Sequence, residues 1–328
     1  MLLTRSGQRA GTISGGCLEA EVAKKTWWLT EKGPTVQRYS SFFDDDSPMP
    51  YGLGCGGTVY VSLQRGAAVR VVMNALESTL TARVPCVMIT DTDSAATLLV
   101  QQANGDALFS TDDSADFRQE LKDLAQRAVH EKHSFYAMHD ASQLFVEYVA
   151  PCPALTIFGA GDDAKPLADF AKGLGWHVTV ADGRSHLVRA DRFPQADRLI
   201  TLNYEDALHR SGQTINPEDT FVLLTHSYDQ DRILLRELVP RRPRYIGVLG
   251  PRQRTERLVG EIASQIDMSA EECMSLLHAP VGFDIGAHTP ESIALSIVTE
   301  IVAVLNGREG MSLKKQPRKH IHSKLYYV

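Results

Sequence analysis

Residues 155–164 read LTIFGAGDDA. LTIF is a short apolar run of the kind that buries as a strand. GAG follows at once, and the stretch 164–174 then carries apolar residues at helical spacing. A strand, a glycine turn and a helix form the context in which Gly159-x-Gly161-x-x-Ala164 works as a dinucleotide fingerprint. Glycine lets backbone N–H groups approach a phosphate closely, and the helix N-terminus adds a favourable dipole. The pattern expects an acid at the end of the second strand, about twenty residues on, to hold a ribose hydroxyl pair. Asp182 stands there, and Arg184 just beyond it would take a ribose phosphate instead. Asp162 and Asp163 favour the helix start but repel a pyrophosphate. The same residues also read as a Rossmann-like sheet that binds no dinucleotide.

Outward from this stretch the second half of the chain alternates regularly. Short apolar runs at 155–158, 177–180, 199–202, 220–224 and 245–249 are expected strands, with helices between them and after each. That alternation predicts a parallel sheet with helices on both faces. The last helix is marked at both ends: Thr289 suits an N-cap, Pro290 the first turn, and Asn306–Gly307 the stop. Polar groups follow the strands, where ligands bind in such sheets. THSYDQD at 225–231 offers His226 as a proton carrier, a ligand or a plain hydrogen-bonding residue. GPRQR at 250–254 offers Arg252 and Arg254 to an anion, or is an ordinary solvated loop. GFDIGAH at 282–288 precedes the last helix.

The first half is less regular. A hairpin turning at Ser6–Gly7 opens it, and a helix with Leu18, Val22 and Leu29 on its apolar side follows ISGG. Strands are expected at 36–43, 58–63, 85–90, 96–101 and 144–149, and helices at 68–80 and 116–130. PCP at 151–153 is a stiff connector. The expected organisation is an α+β domain over 1–150, a Rossmann-like domain over 151–310, and a disordered basic tail over 311–328. The fold class is therefore α/β, with an N-terminal α+β domain shortened at its start.

Two cysteines sit beside glycines: Cys17 in ISGGCLE and Cys55 in YGLGCGG. Bare backbone keeps a neighbouring thiol accessible, and a helix N-terminus lowers its pKa. Accessible thiols suit a soft transition metal or a sulfur atom in transfer. Small hydrophobes packed at tight turns are the other reading.

Composition narrows the classes further. The chain has 328 residues, 43% hydrophobic and 23% charged, with 34 basic against 40 acidic side chains. A net charge of −6 argues against general nucleic-acid binding, which needs a basic face. No apolar run is long enough to span a membrane, and the first residues lack the pattern of a secretory signal. Five widely spaced cysteines make no disulfide framework and no zinc spacing, and point to a reducing cytosol.

GTISGGCLEAEV and YGLGCGG come first. FGAGDDAKPLADFAKGLGWHVTVADGR, THSYDQD, YIGVLGPRQR and PVGFDIGAHTPESIALSIVTEIVAVLNG follow in order. This series resembles the xanthine dehydrogenase accessory family (XdhC/CoxI) from near Arg9 to about Gly307. The resemblance implies a maturation factor for molybdenum hydroxylases, an accessory protein rather than an enzyme with turnover of its own. Such a factor binds the molybdenum–pterin cofactor (molybdopterin or its cytosine dinucleotide), protects its sulfurated form, works with a cysteine desulfurase and delivers the cofactor to a xanthine dehydrogenase-like enzyme. Cys17 or Cys55, or both, would meet the metal–sulfur end. Gly159, Gly161, Asp182, Arg184, His226, Arg252 and Arg254 would meet the phosphate or nucleotide end. A cytoplasmic location, no membrane and no nucleic acid are expected, with a homodimer among the assemblies considered. An NAD(P)-dependent oxidoreductase is the alternative. By this resemblance the chain is expected to start inside the first domain, since relatives have an upstream segment leading into the hairpin, and the tail after Met311 is expected to fall outside the family's motifs.

Overall fold

The computed structural model describes residues 1–14, 17–40, 58–110, 114–203 and 218–315, with the backbone alone at 17, 67 and 68. The chain divides into two compact units between Pro151 and Cys152.

In the N-terminal unit, β1 (Leu2–Leu3) and β2 (Arg9–Ala10) form the opening hairpin. Helix α1 (Cys17–Leu29) follows, and the antiparallel pair β3 (Thr35–Ser40) and β4 (Thr58–Leu63) lies beyond it. Leu18 and Val22 of α1 pack on Tyr39, Val61 and Leu63 in a small core of their own. Next come α2 (Ala67–Ala82), β5 (Cys86–Asp91), β6 (Thr97–Gln102), β7 (Ala107–Ser110), α3 (Ala115–Glu131), β8 (Phe135–His139) and β9 (Ser142–Val149). The strands make a five-stranded antiparallel sheet ordered β7-β6-β5-β9-β8. Strand alternation sends Val87, Ile89, Leu144 and Val146 to one face, where Leu121, Ala125 and Ala128 of α3 cover them. Val72 and Ala75 of α2 pack with Val100, a separate cluster. Strands β7 and β8 are not anticipated from the sequence.

The C-terminal unit is the expected parallel sheet. Its strands are β10 (Ala154–Phe158), β11 (His177–Asp182), β12 (Arg198–Thr201), β13 (Thr220–Leu223) and β14 (Tyr245–Val248). They lie in the order β12-β11-β10-β13-β14, every neighbour parallel. Helices α4 (Ala164–Gly173), α5 (Tyr228–Leu238), α6 (Arg252–Ile262), α7 (Ala270–Ser275) and α8 (Pro290–Leu305) complete the unit. One sheet face, with Leu155, Ile157, Val178 and Val222, is covered by Leu167 and Ala171 of α4 and Ile297 and Ile301 of α8. The other, with Phe158, Phe221, Leu223 and Ile246, is covered by Leu234 and Leu238 of α5 and Leu258 and Ile262 of α6. The three strands β10, β13 and β14 are buried at every position because helices cover both faces, whereas the edge strand β12 is exposed at both ends. The chain leaves β10 in one direction for β11 and β12, then returns to the other side for β13 and β14. That reversal opens a crevice at the strands' C-terminal ends, where ligands bind in such sheets.

Two further features shape this unit. Thr289 Oγ1 accepts from the Ser292 N–H at 3.2 Å, and Ser292 Oγ accepts from the Thr289 N–H at 2.9 Å, a reciprocal cap on α8. Beyond α7 the backbone runs beside β14: His278 N–H donates to Ile246 O at 2.9 Å, and Val248 N–H donates to His278 O at 3.0 Å. Among the described residues no helix is long and apolar enough to cross a membrane.

Candidate functional site

The glycine loop after β10 is fastened to the strands on both sides of it. Gly159 N–H donates to Ala181 O at 2.8 Å, and Leu224 N–H donates to Phe158 O at 2.7 Å. Gly159 has φ +118°, and a Cβ there would lie 2.6 Å from the Leu224 carbonyl carbon, closer than any real contact. Only glycine fits. Gly161 differs: its added Cβ would meet a side-chain atom, Asp163 Oδ1, at 2.5 Å.

Asp182 ends β11 as expected, but the protein itself occupies its acceptors. Ala160 N–H donates to Oδ2 at 2.7 Å, and Arg184 Nη2 donates to the same oxygen at 2.7 Å. Arg184 N–H and Nε donate to Oδ1 at 2.8 and 3.0 Å. A carboxylate has about four acceptor positions, so these four donors fill it. Burial alone would raise the Asp182 pKa. The Arg184 and Ala160 donors and the arginine's charge outweigh it and hold the carboxyl below its usual range. The structure thus brings Asp182 and Arg184 together as one fork around a buried carboxylate, with Arg184 committed to its neighbour.

A second arginine reaches the loop from the segment between β11 and β12. Arg192 Nη2 donates to Ala160 O at 3.2 Å and to Asp162 Oδ1 at 3.1 Å. Among the described residues its Nε is buried with no protein acceptor. Nothing in the sequence marks Arg192 apart from Arg189 or Arg184; the turns of that segment place it.

After β13, His226 adopts φ +58° and sets Nε2 2.7 Å from Asp163 Oδ2, tying this loop to the start of α4. Thr225 Oγ1 donates to Asp231 Oδ1 at 2.6 Å, and Arg254 Nη1 donates to Oδ2 at 2.7 Å. Asp231 is almost wholly buried. Burial pushes its carboxyl pKa up, against the Thr225 and Arg254 donors that pull it down. The Arg254 guanidinium lies 5.8 Å from the Tyr228 ring centroid, and among the described residues its Nη2 is buried without a protein acceptor. Arg252 points the other way: its side chain is 70% exposed and donates to Glu256 Oε1 at 2.9 Å along α6.

In the N-terminal unit, Cys17 is the first residue of α1, and its side chain lies outside the described atoms. Cys55 lies outside the described residues. The approach to α1 is held by Glu19, which closes ISGGCLE but is not among the site residues expected from the sequence. Glu19 is buried, and its carboxylate accepts from Ile13 N–H at 2.8 Å, from Ser14 Oγ at 2.9 Å and from Ser14 N–H. These donors, Ser14 N–H foremost, bring its pKa down to about 2 against the effect of burial. Two more cysteines, Cys86 and Cys273, are buried, and burial raises both thiol pKa values. Among the described residues no group of three or more His, Cys, Asp or Glu side chains could hold a metal ion.

Chemically, the crevice offers a glycine loop, a helix N-terminus and two arginines with an unfilled donor each. That is a set for anionic oxygens, and it fits a phosphate.

Comparison with known proteins agrees with this architecture. The family model described as the XdhC Rossmann domain matches residues 155–301, and that of the XdhC and CoxI family matches residues 1–40. The chain is 31% identical over 312 residues to a protein of Bacillus subtilis described as a probable xanthine dehydrogenase subunit, covering 92% of this chain and 86% of that protein. It is 22% identical over 311 residues to the molybdenum cofactor insertion chaperone PaoD of Escherichia coli, covering 93% of this chain and 77% of that one. A crystal structure of a xanthine dehydrogenase from Bacillus halodurans matches with a TM-score of 0.72 at 25% identity, over 96% of this chain and 87% of that chain.

Proposed function

The chain belongs to the XdhC and CoxI family, and from that premise we propose that it is a molybdenum cofactor chaperone. It binds the molybdenum–pterin cofactor as cargo, protects or assists its sulfuration, and delivers it to a xanthine dehydrogenase-type molybdenum hydroxylase. The observation that carries this reading is the anion crevice of the C-terminal unit, where Arg254, paired with Asp231, keeps a buried donor unfilled among the described residues. Molybdopterin ends in a phosphate, and its dinucleotide form in a pyrophosphate. Arg254 and the N–H groups around Gly161 would hold that end, and His226 would fix the loop through Asp163. The cargo's dithiolene, metal and sulfido groups are soft, and thiols are their natural partners. We assign that end to Cys17 and Cys55. The cysteine desulfurase that supplies the sulfur and a second copy of this chain are further partners, and the cytoplasm is the proposed location.

The alternative, an NAD(P)-dependent oxidoreductase, draws on the same fingerprint. It needs an acid free to accept from a ribose diol, and Asp182 has given its acceptors to Arg184 and Ala160. A site that hydrogen-bonds a hydroxyl pair gains nothing from a carboxylate already filled.

Gently purified protein from cells that make molybdopterin tests the proposal. Mass spectrometry is expected to find pterin and molybdenum bound to the wild type, with the metal lost in Cys17→Ala or Cys55→Ala. Wild-type protein free of both pterin and metal would sink the reading. Full loading in both variants would sink the thiol assignment alone. Tight NAD(H) or NADP(H) binding with hydride transfer would favour the oxidoreductase.

A further inference from the structure

The glycine loop carries its own anion, and the structure shows what that anion does. Asp162 Oδ1 accepts from Lys165 Nζ at 2.8 Å and from Arg192 Nη2 at 3.1 Å. The two partners differ sharply in setting. Asp162 is 81% exposed, whereas the Arg192 side chain is only 22% exposed and is pinned to the Ala160 carbonyl. Arg192 Nε is buried and unfilled, so the carboxylate in front of it does not satisfy the cation. Ion pairs with so exposed a member contribute little and exchange readily. A phosphate brings more charge and more acceptor oxygens, and guanidinium takes it by two parallel bonds. The hydrogen bond and charge of Lys165, with those of Arg192, keep Asp162 below the usual carboxylate range. It therefore stays ionised, and competes, throughout the neutral range.

We propose that Arg192 and Lys165 form an anion subsite in which Asp162 stands in for a ligand phosphate, and that a phosphate or pyrophosphate group binds there by displacing it. The subsite rests on the reading of the crevice as a phosphate site, and it adds the residues and the competitor. It also resolves the charge conflict in GAGDDA. Asp163 is held by His226, and Asp162 is a removable occupant rather than a fixed barrier.

The test is calorimetric titration of the full chain with inorganic pyrophosphate at low ionic strength. Asp162→Asn is expected to bind about fivefold more tightly than wild type, and Arg192→Gln about tenfold more weakly. The double variant Asp162→Asn/Arg192→Gln is expected to lose the gain. Tighter binding cannot come from misfolding, so the Asp162 variant guards against that reading of the Arg192 loss. Unchanged or weaker binding in Asp162→Asn overturns the proposal, as does a gain that survives loss of Arg192, or no binding in any variant. Protein that purifies without pterin or metal yet shows the Asp162 gain keeps the subsite and discards the cofactor. Cofactor-loaded protein indifferent to both substitutions does the reverse.

Discussion

Gly159 and Gly161 look equivalent in GAGDDA, yet the folded chain gives them different work. Gly159 needs a positive φ, and a Cβ would strike the rigid backbone of Leu224, whereas at Gly161 it would strike only the end of the Asp163 side chain. Gly159→Ala is expected to cost about 3 kcal/mol or more, and Gly161→Ala about 1 kcal/mol. Trp176 is buried in the C-terminal core, while Trp27 and Trp28 lie in α1. Urea unfolding followed by fluorescence in a Trp27→Phe/Trp28→Phe background therefore reports the unit that holds the glycines. Equal losses for the two substitutions would contradict this account. The glycine turn after β10 and the acid that ends β11 are legible in the sequence as positions, because they depend on local spacing, whereas the partners of Asp182 are not. The arginine assignments are not. Arg184, Arg192, Arg252 and Arg254 are alike as letters, and only the tertiary path decides who is paired. It sends Arg184 to Asp182, leaves Arg252 with Glu256 on the helix surface, and buries one donor each of Arg192 and Arg254.

Among the elements, α8 is readable end to end because its stop and start signals are chemical. Thr289 and Ser292 satisfy each other's N–H groups, and Pro290 sits where no N–H is needed. Thr289→Ala is expected to lower stability by about 1 kcal/mol, measured as a shift in the urea midpoint. Strand β8 is invisible for the opposite reason. Its core-facing Phe135 and Ala137 alternate with Tyr136 and Met138, which are exposed, so both faces are apolar and no period of two stands out. It forms because β9 pairs with it across a two-residue turn in which Asp140 has φ +49°. The order of the antiparallel sheet is equally hidden. It hinges on β5 pairing with β9, strands separated in the chain by β6, β7, α3 and β8. The parallel sheet is easier, since alternating strands and helices leave few topologies.

At the scale of the whole molecule, carboxylates held by donors in the folded state set the response to acid. Glu19, with its pKa near 2 against an ordinary 4.5, belongs to one unit. Asp182, Asp197 and Glu300, all held below their usual range by donors that outweigh burial, belong to the other. A lowered folded-state pKa contributes stability that is complete above the unfolded value and is lost as pH falls through the folded one. Asp231 and Glu147, raised by burial, act in the opposite sense and favour the folded state at low pH. The lowered groups outnumber the raised ones here. The urea midpoint is therefore expected to drop as pH falls from about 4.5 towards 2, and Glu19→Gln to flatten that drop while lowering stability at neutral pH. A midpoint insensitive to acid in the wild type would refute this. One last consequence follows from the backbone that runs beside β14. Without it, β14 would be an open flank with bare amides, a template on which other chains could add strands. The segment fits because Gly247 has no side chain: a Cβ would lie 2.5 Å from Val281 Cγ2 and 2.8 Å from Tyr245 Cε1. Gly247→Val would prise this cover away, and light scattering at rising concentration is expected to reveal fibrous or polydisperse aggregates where the wild type stays monodisperse. A single missing methyl group thus guards the protein against its own neighbours in a crowded solution.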